Sequence, residues 1–238
     1  MKKGLSLKLL MVVVFCCRNG AGVLGQERDG WQARPSLTAS IELGPHSRLQ
    51  AFGRLESGVN YSYQRLRAGA VFSYRMKRIL KPHRADIDEE NEHNLVFSGG
   101  YEFLERTENN EISCEHRVSF DGTPRYLLGA GFLAADRNRV ELRWVNGNYN
   151  VRYRNRLMMG RPVDVNGFRL TPYATGELFY DRNLHSWNRT QYGFGVQFPG
   201  RGRFMVDTFY LHENCSSCSR TSVNIWGVAL NMYFKRSH

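Results

Sequence analysis

Arginines and carboxylates recur at alternate positions along two adjacent stretches of this chain. Arg139, Glu141 and Arg143 precede an Asn146-Gly147 pair, and Arg152, Arg154 and Arg156 follow it at the same spacing. Glu177, Arg189 and Asp207 occupy corresponding polar positions further on. A guanidinium fork matches a carboxylate bidentately, and an unpaired charge in a confined space is costly, so these residues are expected to pair with one another. Two roles suit a set of six arginines and three carboxylates. One is a structural plug that fills an interior and pins strand register; the other is an anion-selective constriction.

Other groups carry weaker chemistry. Cys215-Ser216-Ser217-Cys218 lies beside His212 and Glu213, and in an oxidising compartment Cys215 and Cys218 are expected to form a local disulfide. A metal site needs more ligands than one cysteine pair and His212, so no metal is assigned. Cys114 has no obvious mate and is expected to be free and lipid-facing. The acidic segment 84–94, with His83 and His93, is expected to be a solvated loop. Ser186 or Ser222 with His185 or His212 would be the residues of a membrane-edge hydrolase, but none sits in a nucleophile-elbow context. No catalytic residue and no cofactor are therefore assigned, and a non-enzymatic role is expected.

Charged residues two apart share a face only on a strand. From about residue 34 onward the apolar pattern has period two, and helical spacing does not fit it. Thr190, Tyr192, Phe194, Val196 and Phe198 point one way, while Arg189, Gln191, Gly193, Gly195 and Gln197 point the other. Leu66, Ala68, Ala70, Phe72 and Tyr74 alternate with Arg65, Arg67, Gly69, Ser73 and Arg75 in the same manner, and Trp226 to Phe234 repeats it. Asn146-Gly147 is a strong type I′ hairpin signal, because both central residues need positive φ. That turn sets Trp144 opposite Tyr149, Leu142 opposite Val151, Val140 opposite Tyr153 and Glu141 opposite Arg152. A second hairpin around Pro199 to Arg203 is expected to set Phe198 against Phe204 and Val196 against Val206. Gly193 and Gly195 would leave room for Tyr173 and Phe179, which favours a filled interior over a wide pore.

Further turn signals, among them Asp121 to Arg125 and a break near Asp136, divide the chain into about twelve strands, or about ten if two regions merge. Such a chain is all-β, a single closed antiparallel up-and-down barrel. Several strands reach the roughly 9–11 residues that cross a bilayer at barrel tilt, which favours the transmembrane type. Aromatics near strand ends suit interfacial girdles, and the near absence of Lys from the polar face suits an enclosed lumen of ion pairs. A soluble periplasmic lipocalin-like barrel, apolar inside and polar outside, is the contrary arrangement. Counting back from a periplasmic Phe234 through twelve strands puts 78–92, 182–187 and 213–221 outside the cell and makes 162–169 a long periplasmic connection.

Composition agrees with a secreted barrel. The 238 residues carry 33 basic and 22 acidic side chains, and 27 of the 33 are Arg. The longest apolar run, Leu9 to Cys17, is far short of the roughly 20 residues of a spanning helix. Lys2, Lys3 and Lys8 before that run, and small residues from Ala21 to Gly25 after it, form a signal-peptide pattern over residues 1–25. Its removal takes four of the positive charges and no acid, so the net charge falls from +11 to 29 minus 22, or +7. Residues 26–238 would then form the barrel, in the bacterial outer membrane. Secretion argues against nucleic acid as a partner; outer-membrane lipid is the expected one.

Specific stretches carry a resemblance. Ala135-Asp136-Arg137-Asn138-Arg139, Arg152-Tyr153-Arg154-Asn155-Arg156-Leu157, Thr171-Pro172-Tyr173, Glu177-Leu178-Phe179-Tyr180-Asp181, Trp187-Asn188-Arg189-Thr190-Gln191-Tyr192 and Asp207-Thr208-Phe209-Tyr210-Leu211 look like the bacterial family catalogued as domain of unknown function 2490. The resemblance covers roughly residues 110–234 and implies a secreted outer-membrane β-barrel, with no assigned activity. Phe234, an aromatic closing an alternating strand, is similar to the assembly signal of outer-membrane proteins and implies the barrel assembly machinery as a partner during biogenesis.

Overall fold

The computed structural model describes residues 29–58, 63–77, 93–108, 111–200, 203–218 and 221–235. The expected signal peptide and the segment 78–92 lie outside the described residues. The strands are β1 (Asp29–Glu42), β2 (Ser47–Gly58), β3 (Tyr63–Lys77), β4 (His93–Glu108), β5 (Glu111–Leu127), β6 (Leu133–Val145), β7 (Asn148–Gly160), β8 (Val163–Val165), β9 (Phe168–Asp181), β10 (Ser186–Pro199), β11 (Phe204–Cys215) and β12 (Ser222–Lys235).

Antiparallel pairing runs from β1 to β7, passes from β7 to β9, and continues to β12. β8 pairs only with β9, so eleven of the twelve strands form the ring. β1 closes it against β12 in parallel, from Asp29 opposite Ser222 to Glu42 opposite Lys235. The sheet is thus mixed rather than wholly antiparallel. An up-and-down path reverses at each strand, so an odd ring must bring its first and last strands together running the same way.

The difference from twelve ring strands arises at Asp121 to Arg125. Those residues carry turn chemistry, yet β5 runs straight through them. Asp121 is held inward by Arg139, and the β5–β6 register is unchanged on either side of Thr123 and Pro124, with Gly122 opposite Asn138 and Arg125 opposite Ala135. The chain reverses later, around the 3-10 turn Gly129–Gly131. One strand fewer moves the flanks of 78–92 to the other rim. Lys77 and His93 lie at the end shared with Pro199, Phe204 and Lys235, opposite the end that carries Asn146-Gly147, Asp181 to Ser186 and Cys215 to Ser222. The expected long connection at 162–169 contains a second two-residue hairpin, Asn166-Gly167 (φ 51° and 80°), joining β8 to β9.

Where turn chemistry is strong, register follows it. Asn146 and Gly147 have φ of 47° and 84°, and β6 and β7 pair with Trp144 opposite Tyr149 and Glu141 opposite Arg152. Around Pro199 the register differs by two residues: Phe198 lies opposite Val206, and Val196 opposite Thr208. A shift of two keeps every side chain on its face, so alternation alone could not detect it.

The two faces of the wall are opposite in chemistry. Glu177 and Phe179 are each 4% exposed, and Leu178 between them is 45% exposed. Glu141 is fully buried, while Phe194 and Trp226 are 59% and 56% exposed. This inversion contradicts the lipocalin-like alternative, whose apolar residues would fill the inside. A small apolar cluster of Leu211, Val223 and Ile225, with Phe209 against it, occupies one part of the interior.

Candidate functional site

Inward positions of seven ring strands carry a chain of alternating charge. Glu56 on β2, Arg67 on β3, Glu102 on β4, Arg117 on β5, Glu141 on β6, Arg154 on β7 and Glu177 on β9 follow one another at nitrogen–oxygen separations of 3.7, 2.6, 3.2, 3.5, 2.7 and 2.9 Å. Most links are diagonal rather than directly across. Glu141 faces Arg152 in register but bonds Arg154, two residues on; Arg117 faces Arg143 and reaches Glu141. Diagonal neighbours are within reach of long side chains, and here they separate like charges that the register sets opposite one another.

Side branches complete the network. Arg143 grips Glu115 bidentately (2.6 and 2.8 Å), Arg139 grips Asp121, and Arg137 adds a second cation to Glu177 at 2.8 Å. Arg152 pairs with Asp181 at 3.3 Å, not with Glu141. Arg189 bonds Glu213 at 3.2 Å and approaches Cys218 Sγ at the same distance. Asp207 accepts from the Tyr173 hydroxyl (3.0 Å) instead of from an arginine. Arg154 and Arg189 both lie over the Phe179 ring, at 4.6 and 5.6 Å from its centroid.

Beside this network lies a cavity of about 260 Å³, lined by nine arginines (34, 54, 65, 67, 117, 152, 154, 156 and 189) and four carboxylates (Glu56, Glu177, Asp207 and Glu213). Nine minus four leaves a formal excess of five positive charges. Among the described residues, no hydrogen bond or ion pair engages the Arg54 or Arg156 guanidinium. A Cβ at Gly195 would come within 2.6 Å of the Tyr173 ring, so this glycine makes the space in which Tyr173 meets Asp207. Gly193 makes room for Leu211 on β11, not for Phe179 as expected; Phe179 lies opposite Arg189.

All nine inward residues expected from the alternation lie on the interior face, but they are part of a larger set. Glu56, Arg67, Glu102, Glu115, Arg117 and Asp121 were absent from that expectation. For all of them but Glu102 the signal was present in Arg54-x-Glu56, Arg65-x-Arg67 and Glu115-x-Arg117-x-Ser119-x-Asp121, the same alternation of charge on strands whose neighbours are unknown until the ring closes.

Cys215 and Cys218 are joined by a disulfide with Cα atoms 5.5 Å apart, and Cys114 is a free thiol. Among the described residues no group of three or more His, Cys, Asp or Glu is placed to hold a metal ion. Ser222 Oγ lies 3.5 Å from His212 Nε2 on the outer face, whereas no hydrogen bond links His185 to a serine among the described residues.

A sequence model of the family described as "Protein of unknown function (DUF2490)" matches residues 83–224, more than half of the chain. The chain belongs to this family. The DUF2490 match takes in β4 to β11 and the first residues of β12, and so holds Glu102, Arg117, Glu141, Arg154 and Glu177, with Glu56 and Arg67 before it. No curated protein matches the chain. Among solved structures, this DUF2490 chain is similar to LpxR from Salmonella typhimurium, with a TM-score of 0.48 and 9% identity over 79% of this chain and 83% of that one.

Proposed function

We propose that this DUF2490 protein is an integral barrel of the bacterial outer membrane, with an interior filled by an arginine–carboxylate network and a structural role that admits at most small anions. The observation that carries this reading is the inverted wall: Glu141 fully buried, Trp226 and Phe194 more than half exposed. Carboxylates retained inside and a belt of Leu, Phe, Tyr and Trp outside suit a lipid solvent. Ring strands of 12 to 17 residues exceed the roughly 9–11 that a tilted strand needs to cross.

The filled lumen argues against a wide pore, and the positive excess around the cavity favours anions over cations. Fractionation tests the placement: a heat-modifiable band in the outer-membrane fraction is expected, and a soluble periplasmic protein would refute it. Planar bilayers test the lumen. Small, anion-selective conductance that changes when Arg154 is made neutral is expected, and large unselective steps would refute the filled interior.

A further inference from the structure

We propose that the luminal cavity is a binding site for a dianionic phosphoryl group, held between Arg54 on one wall of the barrel and Arg156 on the opposing wall. The inference deepens the reading above of a filled lumen that admits only small anions, and it rests on that reading.

The site is what the ion-pair network leaves unengaged. Glu56, two residues from Arg54 on the same face of β2, is taken by Arg34, Arg65 and Arg67 at 3.3, 2.9 and 3.7 Å. Arg54 instead faces Arg67 in register, cation opposite cation. Its Nε is buried with no hydrogen-bond partner among the described residues, and its side chain lines the cavity. Arg156 is the register partner of Glu177, yet Glu177 accepts from Arg137 and Arg154, and Asp207 accepts from Tyr173. Four strands, β3 to β6, separate β2 from β7 one way round the ring, and five, β9 to β12 and β1, the other. The two arginines therefore stand on opposing walls of one cavity. Enclosed guanidiniums without a counter-charge are costly, and a doubly charged anion between them removes the deficit.

Neutral donors complete one side of the space. Ser36 on β1 is the register partner of Arg54, Thr38 follows two residues on, and Asn231 on β12 is opposite Thr38 across the parallel seam. All three line the cavity, and no hydrogen bond occupies their side chains among the described residues. Two hydroxyls and a carboxamide thus supply uncharged donors to oxygens that the arginine forks do not reach.

Geometry, charge and size choose the anion. A monocarboxylate presents both oxygens to one fork, whereas a phosphoryl group carries three acceptor oxygens in diverging directions and can be gripped from two walls. Its charge near neutral pH, about −1.5 to −2, matches the two unengaged arginines. A single halide would balance only one of them. The cavity volume of about 260 Å³ is below the roughly 300–1,000 Å³ of sites for drug-sized ligands, which limits the solute to inorganic phosphate or a short phosphate monoester.

The full chain is refolded in dodecyl maltoside, with heat-modifiable migration as the sign of the closed barrel and radiolabelled orthophosphate in equilibrium dialysis as the probe. Saturable binding of one phosphate per chain is expected. Sulfate, a tetrahedral dianion, should displace it, and chloride or succinate at the same concentration should not. Glycerol 3-phosphate separates the two sources of the phosphoryl group: its displacement of the label assigns the cavity to monoesters as well, and displacement by unlabelled phosphate alone assigns it to the free ion. Arg54→Met and Arg156→Met should each weaken binding at least about tenfold, as loss of a charged hydrogen bond does, and Arg156→Lys, which keeps the charge without the fork, should retain part of it. In the same samples phosphate should raise the urea unfolding midpoint of the parent more than that of either methionine variant, a difference that a merely structural arginine would not produce. Folded protein that binds no phosphate, or binds it as tightly after both substitutions, overturns the site and leaves the barrel reading standing. Displacement by succinate as readily as by phosphate overturns the phosphoryl assignment. A chain that forms no heat-modifiable band overturns both the site and the barrel.

Discussion

Arg154 Nη1 lies 2.7 Å from Glu141 Oε1, while the same guanidinium reaches Glu177 at 2.9 Å on its other side. One cation therefore joins β6, β7 and β9 through two carboxylates that water scarcely reaches. Glu141 also receives Arg117 and Arg139 at 3.5 and 3.9 Å, so its charge is shared among three arginines.

Removing that carboxylate should be severe. Glu141→Ala leaves three buried guanidiniums short of a counter-charge, and breaking one partner of a buried pair costs about 3–5 kcal/mol. The midpoint of urea unfolding in vesicles, followed by loss of the heat-modifiable band, should fall sharply. Glu141→Gln, which keeps the volume and one acceptor, should fall less.

Two arginines of the same cavity should behave in the opposite way. Among the described residues Arg156 makes no ion pair; neutralising it relieves its repulsion of Arg137 and gives up a longer-range attraction to Glu177 and Asp207. Arg156→Met should therefore lie within about 1 kcal/mol of the parent or above it, whereas Arg154→Met should lose about 3–5 kcal/mol. The same unfolding midpoints compare the two variants directly. Anion selectivity in planar bilayers should fall in Arg156→Met.

Gly195 is fixed by its neighbour. A methyl group there would collide with the Tyr173 ring, displace it and strain its bonds to Asp207. Gly195→Ala should cost about 1–3 kcal/mol, as overpacking does. In a double-mutant cycle the part of that cost due to the Tyr173 ring should vanish when Tyr173 is also Ala, since residues in contact do not add, while the part due to the Thr208 carbonyl oxygen, 2.8 Å from the added Cβ, should remain.

Thiol counting tests the disulfide and the signal peptide together. Of the five cysteines, Cys16 and Cys17 lie in the expected signal. Denatured mature protein should show one reactive thiol, Cys114, before reduction and three after it. An uncleaved chain would show more in each measurement.

Local chemistry made parts of this architecture legible. Asn146-Gly147 specified both turn and register, because positive φ at two adjacent residues leaves few alternatives. Asp121-Gly122-Thr123-Pro124 misled for the converse reason: turn formers sit inside a strand whose pairing on both sides, and whose Asp121–Arg139 contact, outweigh their local preference. The register near Pro199 was ambiguous because a two-residue slip preserves both faces. The charge chain from Glu56 to Glu177 was hidden because most of its links are diagonal, depending on the stagger between strands that only closure of the ring defines. His212 and Ser222 were individually visible, but their approach depends on the register of β11 with β12 across a loop that carries no dominant turn signal.

The central claim is that apolar residues of the wall meet lipid and charged ones face inward. Nitroxide labels placed singly at positions 191 to 198 of β10, in a Cys114→Ser background reconstituted in vesicles, test it most directly through collision rates with oxygen and with a water-soluble nickel chelate. Oxygen collisions should be high at positions 192, 194, 196 and 198 and low at 191, 193, 195 and 197, with a period of two. Chelate collisions high at 192, 194, 196 and 198, or equal rates at all positions, would contradict the account.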